Sequence, residues 1–481
     1  MIAQAAAYLE TLRSAGIEAD PAKRRAAILE QVRRCAADVG GLITDESVLD
    51  EVSNLVECPT ALAGSFEAAY LALPRDVLIS VMKKHQRYFP VEKDGHLLPY
   101  FVAVRNGDAQ HLDLVREGNE HVIRARFADA NFFVREDAKL KLEDFRPRLA
   151  TLTFQKKLGS MLDKSERVEK LTGEVARWLK LEETDLSTAV RAAHLCKADL
   201  ATQMVVEMTS LQGIMGREYA LRSGETPAVA QAIQEHYGIP ESRAGIAVGL
   251  ADRLDSLAGL FAAGLAPTGS ADPFGLRRAA LSLTQILTAR QISFDVRAAL
   301  EAACALQPAN VQPAQAHLDS LLAFVAGRLR GQLLELGYRY DVVEAVLAEQ
   351  AHNPYLALVA VRQLAEWVKR EDWPQILPAY ARCVRITRDQ KQTYAVREDQ
   401  FVEPAERGLF AAYQAASAQP VASVDQLLNV LLPMIPAIAK FFEAVLVMAE
   451  DQGVRENRLG LLQRIGAMAK GLADFSKLEG F

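Results

Sequence analysis

From Asn119 to the C-terminus the apolar residues keep recurring at steps of three and four, and that spacing commits most of the chain to helix. In Lys197–Ala220 apolar side chains at 200, 204, 205, 208, 211, 214 and 215 predict a helical stripe, and those at 459, 462, 465, 468, 472 and 475 predict a last helix. Residues 1–56 also pattern as helix, with Ile28, Val32 and Val39 at apolar positions. Only the block from Pro59 to about Asp108 differs. There DVLISV (Asp76–Val81), RYFPVE (Arg87–Glu92) and YFVAV (Tyr100–Val104) predict strands. Asp94-Gly95, between the last two, predicts a hairpin, because an Asp-Gly pair supplies the left-handed backbone of a two-residue turn. The expected fold is mainly α and multidomain, with a small α/β module near the N-terminus.

With 481 residues, half of them hydrophobic, the chain can build several cores. Its most apolar stretch, Leu427–Ala449, is long enough to suggest a membrane span, but Pro433, Pro436, Lys440 and Glu443 interrupt it. Two helices meeting near the prolines inside a helical domain are expected instead. Met1–Glu30 contains no long uncharged segment, so no leader is expected, and the cytoplasm is the expected compartment. Five scattered cysteines, Cys35, Cys58, Cys196, Cys304 and Cys383, form no C-x-x-C pair. That argues against a disulfide framework or a cysteine zinc site. Softer connections are expected at Gln307–Ala316 and Ala415–Ser423, and Asp272-Pro273 reads as a helix start.

Phosphate-loop, GxGxxG, HExxH and GxSxG signatures are all missing. Ser80-Val-Met-Lys83 fits S-x-x-K, a pattern short enough to arise by chance. His194, Asp199, His236, Asp252 and Asp255 suggest the constellation of the helical HD-type phosphohydrolases, which hold a metal that activates water. Here the His-Asp position reads Ala198-Asp199, and alanine cannot coordinate a metal. No metal site and no catalytic residue are therefore expected.

The net charge of −6 hides local basic runs. Residues 116–180 hold 15 Lys+Arg against 11 Asp+Glu. Lys83 and Lys84 begin a stretch through Phe89 that interleaves cations with aromatics, which suits phosphate contact with base stacking. Arg382, Arg385, Arg388 and Lys391 recur every three residues, as do Arg455 and Arg458. Neighbours at that spacing share one helix edge. Arg277 and Arg278 follow the Asp272-Pro273 start.

Several long stretches resemble the β subunit of the bacterial-type tetrameric glycyl-tRNA synthetase. They include MKKHQRYFPVEKDGHLLPYFVAVRNGD (Met82–Asp108), GNEHVIRARFADANFFVREDAKLKLED (Gly118–Asp144) and FQKKLGSMLDKSERV (Phe154–Val168). Lys197–Ala220, Ala251–Leu281 and Val445–Leu462 continue the likeness over nearly the whole chain. The resemblance implies a helical lead-in (1–58) and an α/β module similar to the B3/B4 region of phenylalanyl-tRNA synthetase (59–150). It further implies a degenerate HD-like domain (151–300), a helical linker (301–329) and a domain similar to the arginyl-tRNA synthetase anticodon-binding domain (330–481). Family β subunits begin with a substantial segment ahead of the matched region, so the chain is expected to be an N-terminally truncated form.

The implied function is to bind and position glycine tRNA, without an active site of its own, in an assembly of two α and two β subunits. The α subunit would carry the chemistry and use ATP and magnesium. No cofactor is expected on this chain, and neither a membrane nor DNA is an expected partner. The tRNA-facing residues on this reading are Lys83, Lys84, Arg277, Arg278, Arg382, Arg385, Arg388, Lys391, Arg455 and Arg458. Two other classes of protein remain as alternatives, an HD-type metal-dependent phosphohydrolase and a helical assembly scaffold that touches no RNA.

Overall fold

A computed structural model describes residues 7–311 and 315–481. The fold is mainly α, with 66% of the residues helical. The chain divides into two compact units. One takes in Met1–Phe154, Ser160–Ser165 and Arg191–Tyr237; the other takes in Gln155–Gly159, Glu166–Val190 and Gly238–Phe481.

The first unit is built on a three-stranded antiparallel sheet of β1 (Pro59–Ser65), β2 (Phe89–Lys93) and β3 (His96–Asn106), in the order β1-β3-β2. Asp94 and Gly95 take φ of 49° and 78°, and Lys93 pairs with His96, so the expected hairpin forms around a primed turn. Helix α1 (Pro21–Asp38) starts on Asp20, whose carboxylate accepts from the N–H groups of Ala22 and Lys23. It lays Ile28, Val32 and Ala36 against Phe89, Val91 and Val102 of the sheet. In β1, Gly64 lies opposite Phe101, and a β-carbon there would come within 2.4 Å of the ring. The outer edge of β1 is closed by side chains. Gln31 bonds Pro59 O and Ala61 N, Arg116 donates to Ala63 O, and Glu120 accepts from Ser65 N. These bonds occupy groups that could otherwise recruit another strand. Helix α2 (Leu112–Asp137) buries Ile123, Phe127, Ala130 and Val134, a strict three-and-four stripe.

Two sequence expectations fail in this unit. DVLISV is not a strand: Arg75–Ser80 is α-helical and runs on into a wider turn through His85. Its buried residues are Val77, Leu78, Val81 and Met82, pairs four apart, so helical burial overrides the β-branched composition. Lys197–Ala220 is not one helix but four short pieces, Ala198–Ala201, Gln203–Glu207, Thr209–Leu211 and Ile214–Arg222. Thr202 breaks it by turning its hydroxyl to Asp199 O and capping the next helix at Val205 N, and Gly213 at φ 79° breaks it again.

In the second unit the helices used below are α3 (Met161–Trp178, whose C-terminal part belongs here), α4 (Arg243–Ala262) and α5 (Leu276–Ala289). Helix α4 is buried on nearly every side, as its all-round apolar sequence requires. Asp272 does cap α5, accepting from Leu276 N and Arg277 N, but the helix opens only after Gly275, so Pro273 precedes it. Of the expected Gln307–Ala316 connection, Ala309–Val311 is a 3-10 turn and residues 312–314 lie outside the described residues.

The C-terminal part of this unit is a bundle of α6 (Trp373–Thr387), α7 (Pro404–Ser417), α8 (Val424–Leu431), α9 (Ile435–Ala444) and α10 (Gln452–Gly466). Val424–Ala444 is long and apolar enough to cross a membrane by length and composition, with a mean hydropathy of 1.5. It is two helices joined by a 3-10 turn at Leu432–Met434, and Leu427, Leu428, Leu431, Ile438 and Phe441 fill the bundle core. The last helix ends at Gly466, earlier than the stripe predicts. Ala467–Ala469 tightens to a 3-10 turn, and Gly471 at φ 79° turns the chain away.

Candidate nucleic-acid interface

Helix α6 sorts its residues by face. Trp373, Ile376, Leu377, Tyr380, Ala381 and Cys383 are buried, and the helix packs against α9 and α10. Tyr380 donates its hydroxyl to Gly466 O at 2.6 Å, which ties the two helices together. Burial pushes the Cys383 thiol up to about 12, so it stays a protonated core group.

On the other face Arg382 and Arg385 are exposed, and Arg388 and Lys391 continue the exposed line past the helix end. None of the four forms an ion pair among the described residues. The Arg382 guanidinium lies 4.3 Å from the Phe442 ring centroid, and that of Arg385 lies 5.5 Å from the Phe481 ring. Stacking on a ring holds a guanidinium in place while leaving its edge N–H groups open to a phosphate. Four unneutralised cations with one intervening carboxylate, Asp389, make a surface that an RNA backbone can follow. Sequence reasoning missed Arg464, which is exposed in the last turn of α10 and forms no ion pair among the described residues. Its signal was a cation on the polar side of the α10 stripe.

The other named residues are placed differently. Arg455 is half-buried and donates to Ala449 O at 3.0 Å. Arg458 is buried. Its Nε donates to Glu406 Oε1 at 2.5 Å and its Nη1 to Leu446 O at 2.8 Å, with side-chain exposures of 8% for Arg458 and 0% for Glu406. That guanidinium has no surface to offer a phosphate, so the expected pairing of Arg458 with Arg455 as surface contacts needs correction. In the first unit Lys83 is salt-bridged to Asp45. Burial raises the Asp45 carboxyl, but the bonds from Lys83 and Ser47 outweigh it and bring the group to about 2. Lys84 is exposed, whereas Tyr88 and Phe89 are buried and Tyr88 stacks on Phe101 at 4.5 Å. These rings belong to the core and offer no stacking platform. Arg277 donates to Gly269 O, and Arg278 is exposed.

Of the residues that suggest an HD-type centre, Asp252 lies on α4, and the other four are each engaged in the fold. In the first unit Asp199 is wholly buried, accepts from Gly213 N, and is pushed up to about 6 by burial. His236, also buried, lies with Nδ1 2.6 Å from Ile233 O and Nε2 2.9 Å from Lys197 Nζ. A carbonyl can only accept, so Nδ1 carries the proton and the Nε2 lone pair faces the lysine instead of a metal. His194 lies 3.4 Å from Glu143. In the second unit Asp255 accepts from Arg167 Nε at 2.7 Å and from Gln307 Nε2 at 3.1 Å. Among the described residues no three His, Cys, Asp or Glu side chains come together as a metal set. Ser80 lies 3.3 Å from the Ser210 hydroxyl, and its S-x-x-K partner Lys83 is committed to Asp45.

Comparison with known proteins gives this helical, cation-faced chain its class. A family model described as "Glycyl-tRNA synthetase beta subunit" matches residues 1–348. The glycine–tRNA ligase β subunit of Desulforudis audaxviator is 40% identical over 492 residues, covering 99% of this chain and 71% of that protein. The Synechocystis β subunit is 39% identical over 511 residues, covering 98% and 71%. The Arabidopsis thaliana protein named "Glycine--tRNA ligase, chloroplastic/mitochondrial 2" is 39% identical over 494 residues, covering 100% of this chain and 46% of that protein. The class is thus that of aminoacyl-tRNA synthetase subunits. Within it, the chain belongs to the glycyl-tRNA synthetase β-subunit family. It spans about 70% of the bacterial relatives and under half of the Arabidopsis one.

Proposed function

We propose that this chain binds glycine tRNA and positions it for ATP-dependent aminoacylation at an active site carried by a separate α subunit, two α joining two β. ATP and magnesium belong to that partner. The C-terminal bundle is the anticodon-binding part, and Arg382, Arg385, Arg388 and Lys391 hold the RNA backbone. Arg455, Arg464, Lys84 and Arg278 add weaker contacts. The observation that carries this reading is the exposed line of cations on and beyond α6, with no carboxylate paired to it among the described residues. Membership of the glycyl-tRNA synthetase β-subunit family supports glycine tRNA as that RNA. The backbone contacts give salt-sensitive affinity that is blind to sequence, and discrimination comes from unstacked bases.

The test is a titration of the 481-residue chain with glycine tRNA and a noncognate tRNA at low and moderate salt. Salt-sensitive binding with a preference for glycine tRNA is expected. Absence of binding to any tRNA at low salt, together with tight capture of the α subunit, makes the chain an assembly scaffold instead.

A further inference from the structure

The second unit contains a cavity of about 480 Å³ where the C-terminal ends of α3 and α5 meet the start of α4. Its apolar wall is made by Trp178, Leu181, Ile246 and Ile292. Three cations, Lys180, Arg243 and Arg290, stand at it; Arg290 pairs with Glu241 at 3.5 Å and Arg243 with Asp185 at 3.8 Å. Arg243 is anchored on Leu179 O and Lys180 O, and Arg290 on Pro240 O. Lys180 is exposed and forms no ion pair among the described residues.

Two backbone features single this place out. Lys180 and Gln291 are in the left-handed conformation, at φ 52° and 56°, two of five such non-glycine residues among those described. Each follows a helix that closes in the same way, Leu181 N bonding to Ala176 O and Ile292 N to Leu287 O. Glycine is the usual occupant of that closing position. The same unit uses glycine for it at Gly264 and Gly337, where Leu265 N bonds to Leu260 O and Tyr338 N to Leu333 O. A lysine in a left-handed position that glycine would occupy without strain singles out its side chain. Trp178 is also the one exposed indole of the three, at 43% against 5% for Trp367 and 8% for Trp373.

An aromatic face beside fixed guanidinium groups and a free ammonium suits a flat base carrying a phosphate. We propose that this cavity takes one unpaired nucleotide of the bound RNA, its base against Trp178 and its phosphate on Lys180 and Arg243. The proposal rests on the tRNA-binding reading above and adds a second contact point to it.

Lys180→Gly gives the sharpest test, because relieving the strained backbone leaves the melting temperature equal or higher while the contact is lost. With glycine tRNA at low salt, this variant of the 481-residue chain is expected to bind about three- to tenfold more weakly, with a salt slope lower by about one. Lys180→Arg, with the charge kept on the same backbone, is expected to bind like the parent. Ligand-induced quenching of the intrinsic fluorescence reports on Trp178, since the other two indoles are buried out of reach of a stacking base. Both glycine tRNA and a single-stranded RNA tetramer are expected to quench it, and Trp178→Leu to abolish the quench. Parent-like tRNA affinity in both Lys180→Gly and Trp178→Leu overturns the cavity proposal and leaves the tRNA reading standing. Quenching by the tetramer without any tRNA binding overturns the tRNA reading and keeps the cavity. Equal quenching by a blunt RNA duplex or by free AMP contradicts an unpaired nucleotide of RNA as the occupant.

Discussion

Two sets of arginines in the C-terminal bundle share a spacing of three and meet opposite fates. Arg382, Arg385 and Arg388 stay in solvent, two of them laid over aromatic rings, while Arg458 is buried against Glu406. The difference is made by a carboxylate 52 residues upstream of Arg458, which itself accepts from Val402 N and Glu403 N and so is held in place by backbone bonds as well as by the arginine. A charge with a fixed buried partner is part of the scaffold. A charge without one is available to a ligand.

The contrast is most easily broken at Arg458. Arg458→Ala leaves the Glu406 charge buried without its cation, held only by Val402 N and Glu403 N, which costs about 3–5 kcal/mol. A large fall in melting temperature is expected in a thermal denaturation experiment. At a temperature where the variant remains folded, tRNA affinity is expected to stay at the parent level. A parent-like melting temperature with weakened tRNA binding would move Arg458 into the other set.

Asp199 extends the same rule to a buried carboxylate. Its carboxyl is pushed up by burial to about 6 and only partly relieved by Gly213 N and Lys197, so the native state holds this proton more tightly than the unfolded chain does. Stability from this group is present below about pH 4, the unfolded value, and is lost as pH rises through about 6. Two units correspond to about 3 kcal/mol. Asp199→Asn never ionises, so the melting temperature of this variant minus that of the parent is expected to be more positive at pH 8 than at pH 4.5. A difference independent of pH contradicts the burial argument.

Smaller effects separate the exposed arginines from one another. Arg382→Ala loses a stack on Phe442 worth about 0.5–1 kcal/mol at an exposed site, in addition to its phosphate contact. Lys391→Ala, which has no such contact, is expected to change stability by less than about 0.5 kcal/mol. Both variants are expected to lower tRNA affinity to similar degrees. Calorimetric unfolding alongside binding at fixed salt checks the split.

What was legible in the sequence was local. The Asp94-Gly95 hairpin, the helices of the bundle and the joint near Pro433 follow from side-chain spacing and turn chemistry within a few residues. The failures came where a distant partner decides. DVLISV is β-branched enough for a strand, yet Val77 and Val81 are needed on one face of a helix. Lys197–Ala220 keeps a helical spacing through four separate pieces because each piece still buries its own apolar residues. Arg458 looks like Arg455 until Glu406 is in place, and Tyr88 and Phe89 look like a stacking surface until Phe101 covers one of them and the core takes the other. The cavity at Trp178 had a faint signal, a helix end marked by lysine where glycine is usual, but its walls come from three separate segments.

The central contrast is measured most directly by the salt dependence of glycine tRNA affinity for the parent, for Arg382→Ala/Arg385→Ala/Arg388→Ala, and for Arg458→Ala at a temperature where it is folded. Each lost phosphate contact lowers the slope of log affinity against log salt by about 0.7–0.9. A slope reduced by about two to three in the triple variant, with a melting temperature lowered only by the loss of two ring stacks and so less than in Arg458→Ala, and an Arg458→Ala slope equal to that of the parent, is the expected result. A triple variant whose slope matches the parent's would show that the exposed arginines of α6 do not touch the RNA.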